Sequence, residues 1–220
     1  MADAKISDLT AVSTLADADV LAIVNAAATK KVSLTQLTTY FEQRSRQNNA
    51  SVANQTGFST DTYLTGSDVP VPDGRLQAKT KYNLRISLSR TAAGTGTPTI
   101  NLRFGTAGTT ADTSRCLFTW PAALTATGTD TAWFEIMATF RTVGSGTSAV
   151  IQGALKIERA VATAAQGFGA TGMLANHFLN TTGGGFDSTV SGSKIGASMN
   201  GGTGASWTVT QVESVLSNLA

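Results

Sequence analysis

The sequence contains little of the material from which catalytic and metal sites are usually built. It has a single cysteine and a single histidine in 220 residues. One cysteine excludes a disulfide within the chain and any zinc site with several cysteines, and one histidine excludes three-histidine zinc catalysis. We therefore expect no cofactor, no metal site and no catalytic residue, and we interpret Cys116 as a small buried apolar side chain.

Charge is scarce as well. Lys, Arg, Asp and Glu make up 14% of the chain, whereas about 25% is usual in a soluble domain. The net charge is only +2 and the basic residues are scattered, which argues against nucleic acid as a partner. A hydrophobic content of 41% argues against disorder. Because charged residues are depleted where subunits meet, we expect an oligomer whose surface is partly covered by protein.

Long apolar runs are missing too. No stretch approaches the roughly 18 apolar residues of a membrane-spanning helix. The first residues lack the basic start and apolar run of a signal peptide. These two absences predict a protein without a membrane partner that is made in the cytosol.

The few candidates for catalysis are weak. His177 is the one residue on which a Ser–His or Cys–His site depends, and no G-x-S-x-G motif precedes it. Residues 167–172 spell G-x-G-x-x-G, but no strand–helix context surrounds them, so we interpret them as a chance match. Asp130 and Glu135 are the nearest candidates for the paired carboxylates of a glycosidase.

Aromatic residues suggest a second kind of site. Trp120, Trp133 and Trp207 could stack on sugar rings, although a tryptophan is more often part of a core or an interface. Alternation along the chain puts Glu135 on the same strand face as Trp133 and Met137. We expect that face to point to solvent or to a neighbouring subunit.

Residues 1–32 form a small module of their own. The apolar run at 20–24 and the return at 29–32 predict a hairpin, with Lys30 and Lys31 on its solvated edge. An isolated hairpin is marginally stable in water. The module must therefore fold back on the rest of the chain or insert into a partner.

Residues 33–46 read as one helix. Ser33 and Gln36 form an S-x-x-Q capping box at its start. Apolar residues then recur at the spacing of a coiled-coil seam: Leu34, Leu37 and Phe41. Two interpretations stay open, an amphipathic helix lying on its own domain and self-association along a symmetry axis. Residues 46–54 are polar and aperiodic, which predicts a linker within a connecting segment, 33–57.

Over residues 58–220 the pattern changes to period two. Alternating segments are separated by joints rich in Gly, Thr and Ser, and no long helix intervenes. This pattern predicts an antiparallel, jelly-roll-like β-sandwich. The last apolar residues, 209–219, fit a final strand or a short helix. Clear alternation is seen at 82–88, 100–104, 116–120, 134–140, 151–157 and 195–199.

The opening of the chain resembles a known family. KISDLT at 5–10, LADADVLAIV at 15–24 and TKKVSLTQL at 29–37 are similar to the attachment module at the N-termini of tailed-phage fibre and decoration proteins. The resemblance implies a virion structural protein, commonly a homotrimer, whose residues 1–32 dock to the capsid or tail while the sandwich projects from the virion surface. It makes the helix seam a trimerisation contact. The expected virion-anchoring residues are Leu9, Leu15, Val20, Leu21, Ile23 and Val24.

Three functional hypotheses follow. The first is a head-surface fibre or decoration protein, assembled in the host cytoplasm and anchored to the capsid through its N-terminus. The second is a tail-fibre receptor-binding protein that recognises host surface glycan. The third is a glycan-degrading enzyme that uses Glu135 or Asp130.

Overall fold

The structure is a computed structural model that describes residues 20–25, 28–125, 129–160, 168 and 176–218. The chain divides into two compact units, Met1–Glu42 and Gln43–Ala220. The boundary between them falls inside the only helix of the described residues, Leu34–Ser45.

The first unit contains the predicted hairpin. Strands β1 (Val20–Asn25) and β2 (Ala28–Ser33) pair antiparallel, and helix α1 (Leu34–Ser45) follows directly. The Gln36 backbone N–H donates to Ser33 Oγ at 3.1 Å, and the Ser33 N–H donates back to Gln36 Oε1 at 3.0 Å. The capping box is confirmed, and it explains why the helix begins at Leu34.

The second unit consists of strands. Their bounds are β3 (Arg46–Ala50), β4 (Gln55–Thr56), β5 (Thr62–Tyr63), β6 (Val69–Pro70), β7 (Lys81–Ala92), β8 (Thr99–Gly105), β9 (Thr113–Thr119), β10 (Asp130–Thr142), β11 (Ala149–Arg159), β12 (Asn176–Phe186), β13 (Lys194–Asn200) and β14 (Ser206–Ser217).

Two antiparallel sheets pack together, so the expected β-sandwich is confirmed. The large sheet has seven strands in the order β12-β11-β10-β7-β14-β3, with β4 also paired to β14. The small sheet has five, in the order β5-β13-β8-β9, with β6 paired to β13. Among the long strands, β7 pairs with β14 and β10, β8 pairs with β13 and β9, and β10 pairs with β11. Of the two alternatives for the C-terminal segment, a final strand or a short helix, the structure has the strand, β14.

The predicted linker at 46–54 is wrong in its first half. Residues 46–50 form β3, an edge strand that pairs with β14 in antiparallel register from Glu213 to Ser217. Its sequence, RQNNA, has no apolar alternation. The strand is held instead by its backbone pairing with β14 and by side-chain hydrogen bonds. Asn49 Nδ2, for example, donates to the Asp68 carbonyl at 2.9 Å. The sandwich therefore starts at Arg46.

Aromatic rings fill one end of the core. Trp120, Phe134, Phe168 and Trp207 are all buried, and their ring centroids lie 5.0–6.3 Å apart in edge-on or tilted pairs. Every described member of the hydrophobic core lies between Phe58 and Leu216. Alternation along the strands therefore leaves one set of side chains for this core and the opposite set for the outer faces.

Candidate functional site

The outer face of the large sheet carries an exposed tryptophan and an exposed methionine. Alternation along β10 turns Phe134 and Ile136 into the core, where both are fully buried. It turns Trp133, Glu135 and Met137 outward, as expected from the sequence. Trp133 is 46% exposed and Met137 is 42% exposed. A large aromatic and a methionine thus stand on a surface that faces solvent in the single chain.

A row of alternating charges crosses this face. Strand register sets four residues side by side on β14, β7, β10 and β11: Glu213, Arg85, Glu135 and Lys156. We call them the charge row. Arg85 Nε lies 3.4 Å from Glu135 Oε1. Opposite charges facing each other across strands stabilise a sheet modestly. The charge row therefore contributes to holding these four strands in register.

Trp133 lies in the adjacent row. Its register partners are Ser87 on β7 and Glu158 on β11. Glu158 forms an ion pair with Lys156 of the charge row. The hydrogen bond that Lys156 Nζ donates to Glu158, together with the carboxylate's charge, raises the pKa of Lys156.

These side chains line a shallow concavity of about 240 Å³. We call it the Trp133 concavity. Its lining comprises Arg85, Trp133, Phe134, Glu135, Lys156 and Glu158. Two larger depressions adjoin it. One of about 490 Å³ shares Arg85 and Glu135 with it, and one of about 430 Å³ shares Trp133 and Glu158. The Trp133 concavity thus has a neighbouring depression on either side, and we call the three together the track.

The paired-carboxylate hypothesis fails on geometry. Asp130 is 2% exposed and accepts a hydrogen bond from the Phe168 N–H at 3.1 Å, inside the sandwich. Glu135 stands on the outer face of the same strand. Two glycosidase carboxylates must flank one bond of the substrate, and these two lie on opposite sides of a sheet.

Two of the three tryptophans are excluded as sugar platforms. Trp120 and Trp207 are each 1% exposed, and Trp120 Nε1 donates to the Phe168 carbonyl at 3.3 Å. Strand β14 turns Trp207 inward, and Trp120, which directly follows β9, packs against Phe134 and Trp207. Trp133 is the one described tryptophan that a ligand can reach.

The expectation for Cys116 is confirmed. The side chain is fully buried, and burial raises the pKa of its thiol to about 11. A protonated, inaccessible thiol is unreactive. The side chain of His177 lies outside the described residues, and so does the G-x-G-x-x-G segment at 167–172 except for Phe168.

The predicted anchor is described in part. Leu9 and Leu15 lie outside the described residues, and so do the side chains of Val20, Ile23 and Val24. Leu21 is 44% exposed on β1.

The three residues of the predicted helix seam differ in exposure. Leu34 and Leu37 are half-buried, whereas Phe41 is 58% exposed. Tyr40 is 42% exposed, and its ring meets that of Phe41 edge-on at 5.8 Å between centroids. The first unit therefore presents apolar side chains on both its hairpin and its helix.

Within the described ranges, no group of three or more His, Cys, Asp or Glu side chains is placed to hold a metal ion. In the same part of the chain, no helix has the length and apolar character needed to cross a membrane.

The sequence pointed to Trp133 and Glu135 but missed Arg85, Lys156 and Glu158. Each of these three is an ordinary polar position in an alternating strand, and the cross-strand register that gathers them is not legible in a single sequence. Comparison with known proteins adds no further guide, since no family model and no curated protein matches this chain.

Proposed function

We propose that this chain is a structural protein of a tailed-phage virion, a head-surface fibre or decoration protein anchored to the capsid through residues 1–32. The resemblance of the first forty residues to phage attachment modules supports this proposal. Strand β1 overlaps the resembling segment at 15–24, and strand β2 and the start of helix α1 overlap the one at 29–37.

The observation that carries the proposal is the exposed apolar surface of the first unit. Leu21 is 44% exposed and Phe41 is 58% exposed, and a two-stranded hairpin gains little stability by itself in water. A partner that covers these side chains stabilises the unit by removing apolar area from water, at about 25 cal/mol per Å².

Deleting residues 1–32 tests the anchor. The truncated protein is expected to stay soluble and oligomeric but no longer to join particles when it is mixed with capsids that lack it. Truncated protein that still decorates capsids contradicts the assignment.

A point substitution gives a finer test. Leu21→Ser removes an exposed apolar side chain from β1 and is expected to reduce particle binding. Lys31→Ser on β2 is the control, because its register partner is Ala22, next to Leu21, which puts it on the other face of the hairpin. Equal loss with both variants argues against an apolar anchor.

Self-association as a homotrimer is part of the proposal and is assigned to the helix seam. Phe41→Ser is expected to shift the protein toward smaller species in sedimentation velocity. Thr38→Ser, also exposed on α1, serves as the control. An unchanged sedimentation coefficient with Phe41→Ser removes the helix from the assembly interface.

One observation favours a second candidate, a tail-fibre receptor-binding protein. Trp133 is exposed on a face rich in hydrogen-bonding groups. Labelling the protein on intact particles separates the two candidates, since the first puts it over the head and the second at the tail.

A further inference from the structure

We propose that the Trp133 concavity is a binding site for a neutral saccharide. The proposal concerns the outer face of the large sheet and does not depend on where the N-terminal module attaches. It names a site, the residues that form it and the chemical class of its ligand.

The first argument is the combination of groups. A sugar ring has an apolar C–H face and a rim of hydroxyl groups, so it needs an aromatic surface beside hydrogen-bonding partners. Trp133 offers the surface at 46% exposure. Glu135 and Glu158 offer acceptors for hydroxyl protons, while Arg85 and Lys156 offer donors to hydroxyl oxygens.

The second argument is charge. Each cation of the concavity already has a carboxylate partner, Arg85 with Glu135 and Lys156 with Glu158. Two positive and two negative groups leave no net charge in the lining. An anionic ligand would gain no net attraction from this lining, because Glu135 and Glu158 repel it as Arg85 and Lys156 attract it. A neutral polyol needs only to exchange hydrogen bonds with water.

The third argument weighs a second copy of this chain as the occupant. The centres of protein interfaces are depleted in charged residues. Here charged side chains surround a single indole. Covering the pairs with protein would remove four charged groups from water at a large cost. Sugar hydroxyls can replace the water molecules that those groups lose.

The fourth argument is size. A volume of about 240 Å³ lies below the range of roughly 300–1,000 Å³ for drug-sized ligands. It suits one sugar ring. The adjoining depressions of about 490 and 430 Å³ extend the surface on either side, so a longer chain can continue along the track.

Binding of the purified full-length protein to immobilised oligosaccharides tests the proposal. The panel contains neutral hexose oligosaccharides and matched acidic ones that carry uronic acid. We expect binding to neutral members and an affinity that salt hardly changes, because no net charge is involved. Trp133→Ala should weaken binding about tenfold or more, and Trp133→Phe should weaken it less. Leu117→Ala is the matched control, since Leu117 is 50% exposed on β9 of the small sheet.

A second readout is available because Trp133 is the only exposed tryptophan among the three. A bound neutral oligosaccharide should protect fluorescence from iodide quenching in the natural protein and not in Trp133→Phe. Three outcomes overturn the proposal: no neutral member binds, acidic members alone bind, or Trp133→Ala dissociates the oligomer and so identifies the face as a contact between copies. The Trp133→Ala variant should still join particles. A failure of the saccharide proposal can therefore be told apart from a failure of the anchor proposal.

Discussion

Asp130 and Glu135 belong to the same strand, β10, and lie on opposite sides of the large sheet. The two residues are five positions apart in the sequence. Because side chains alternate between the two faces of a strand, residues an odd number of positions apart point to opposite faces. Asp130 accepts the Phe168 N–H at 3.1 Å within the core, while Glu135 lies 3.4 Å from Arg85 on the outer surface. The two carboxylates therefore have different roles: Asp130 accepts a hydrogen bond inside the core, and Glu135 belongs to the exposed charge row.

Removing Asp130 should cost far more stability than removing Glu135. Burial lowers the pKa of Arg90, and the nearby Asp130 carboxylate opposes that shift. Asp130→Ala leaves the Phe168 N–H and the Arg90 charge without this carboxylate, so we expect the free energy of unfolding to fall by about 2–4 kcal/mol. Glu135→Ala should change it by less than about 1 kcal/mol. Urea unfolding at pH 7 measures both, and similar losses would contradict the assignment of faces.

Neighbouring aromatic residues on β10 should also differ. Phe134 is fully buried against Trp120, Phe168 and Trp207, so Phe134→Ala should cost about 3–5 kcal/mol through the lost contacts and the cavity. Trp133→Ala, on the exposed face, should cost no more than about 1 kcal/mol. Thermal and urea unfolding of the two variants checks this. A large loss with Trp133→Ala would mean that the indole stabilises the fold.

A glycine on β12 is required by close packing. A Cβ built on Gly183 would lie 1.5 Å from the Arg115 carbonyl oxygen on β9, whereas a Cβ on Gly184 would come no closer than 3.3 Å to a Val150 methyl group. Gly183→Ala should therefore destabilise the protein by more than about 2 kcal/mol. The control Gly184→Ala should stay within about 1 kcal/mol. Equal effects in urea unfolding would show that β9 and β12 are not in close contact.

Cys116 predicts a dependence of stability on alkaline pH. The folded state raises the pKa of the thiol from 9.0 to about 11, so the unfolded chain loses this proton more easily. The contribution of the protonated Cys116 thiol to the free energy of unfolding is complete below pH 9 and is lost as pH rises toward 11. The slope is up to about 1.4 kcal/mol per pH unit. Cys116→Ala should flatten that part of the curve relative to the natural protein. Parallel curves from pH 8 to 11 would rule the effect out.

Local signals were sufficient for several elements. The S-x-x-Q pattern at Ser33 and Gln36 predicted the helix start, because a capping box involves only residues within one turn. Alternation at 134–140 predicted which side chains of β10 face the core. Strand β3 was missed because an edge strand needs only a partner's backbone, and its partner β14 follows more than 150 residues later.

The sequence by itself determined the periodicity of the strands, the hairpin with its capped helix, and hence a mainly β chain with inward and outward faces. Only the tertiary structure decided which strands are neighbours and in what register. That register brings Arg85, Glu135 and Lys156 into one row beside Trp133, and it buries the other two tryptophans. The reason is physical: side-chain alternation is a property of each strand, whereas register depends on packing and hydrogen bonding between segments that are far apart in the chain.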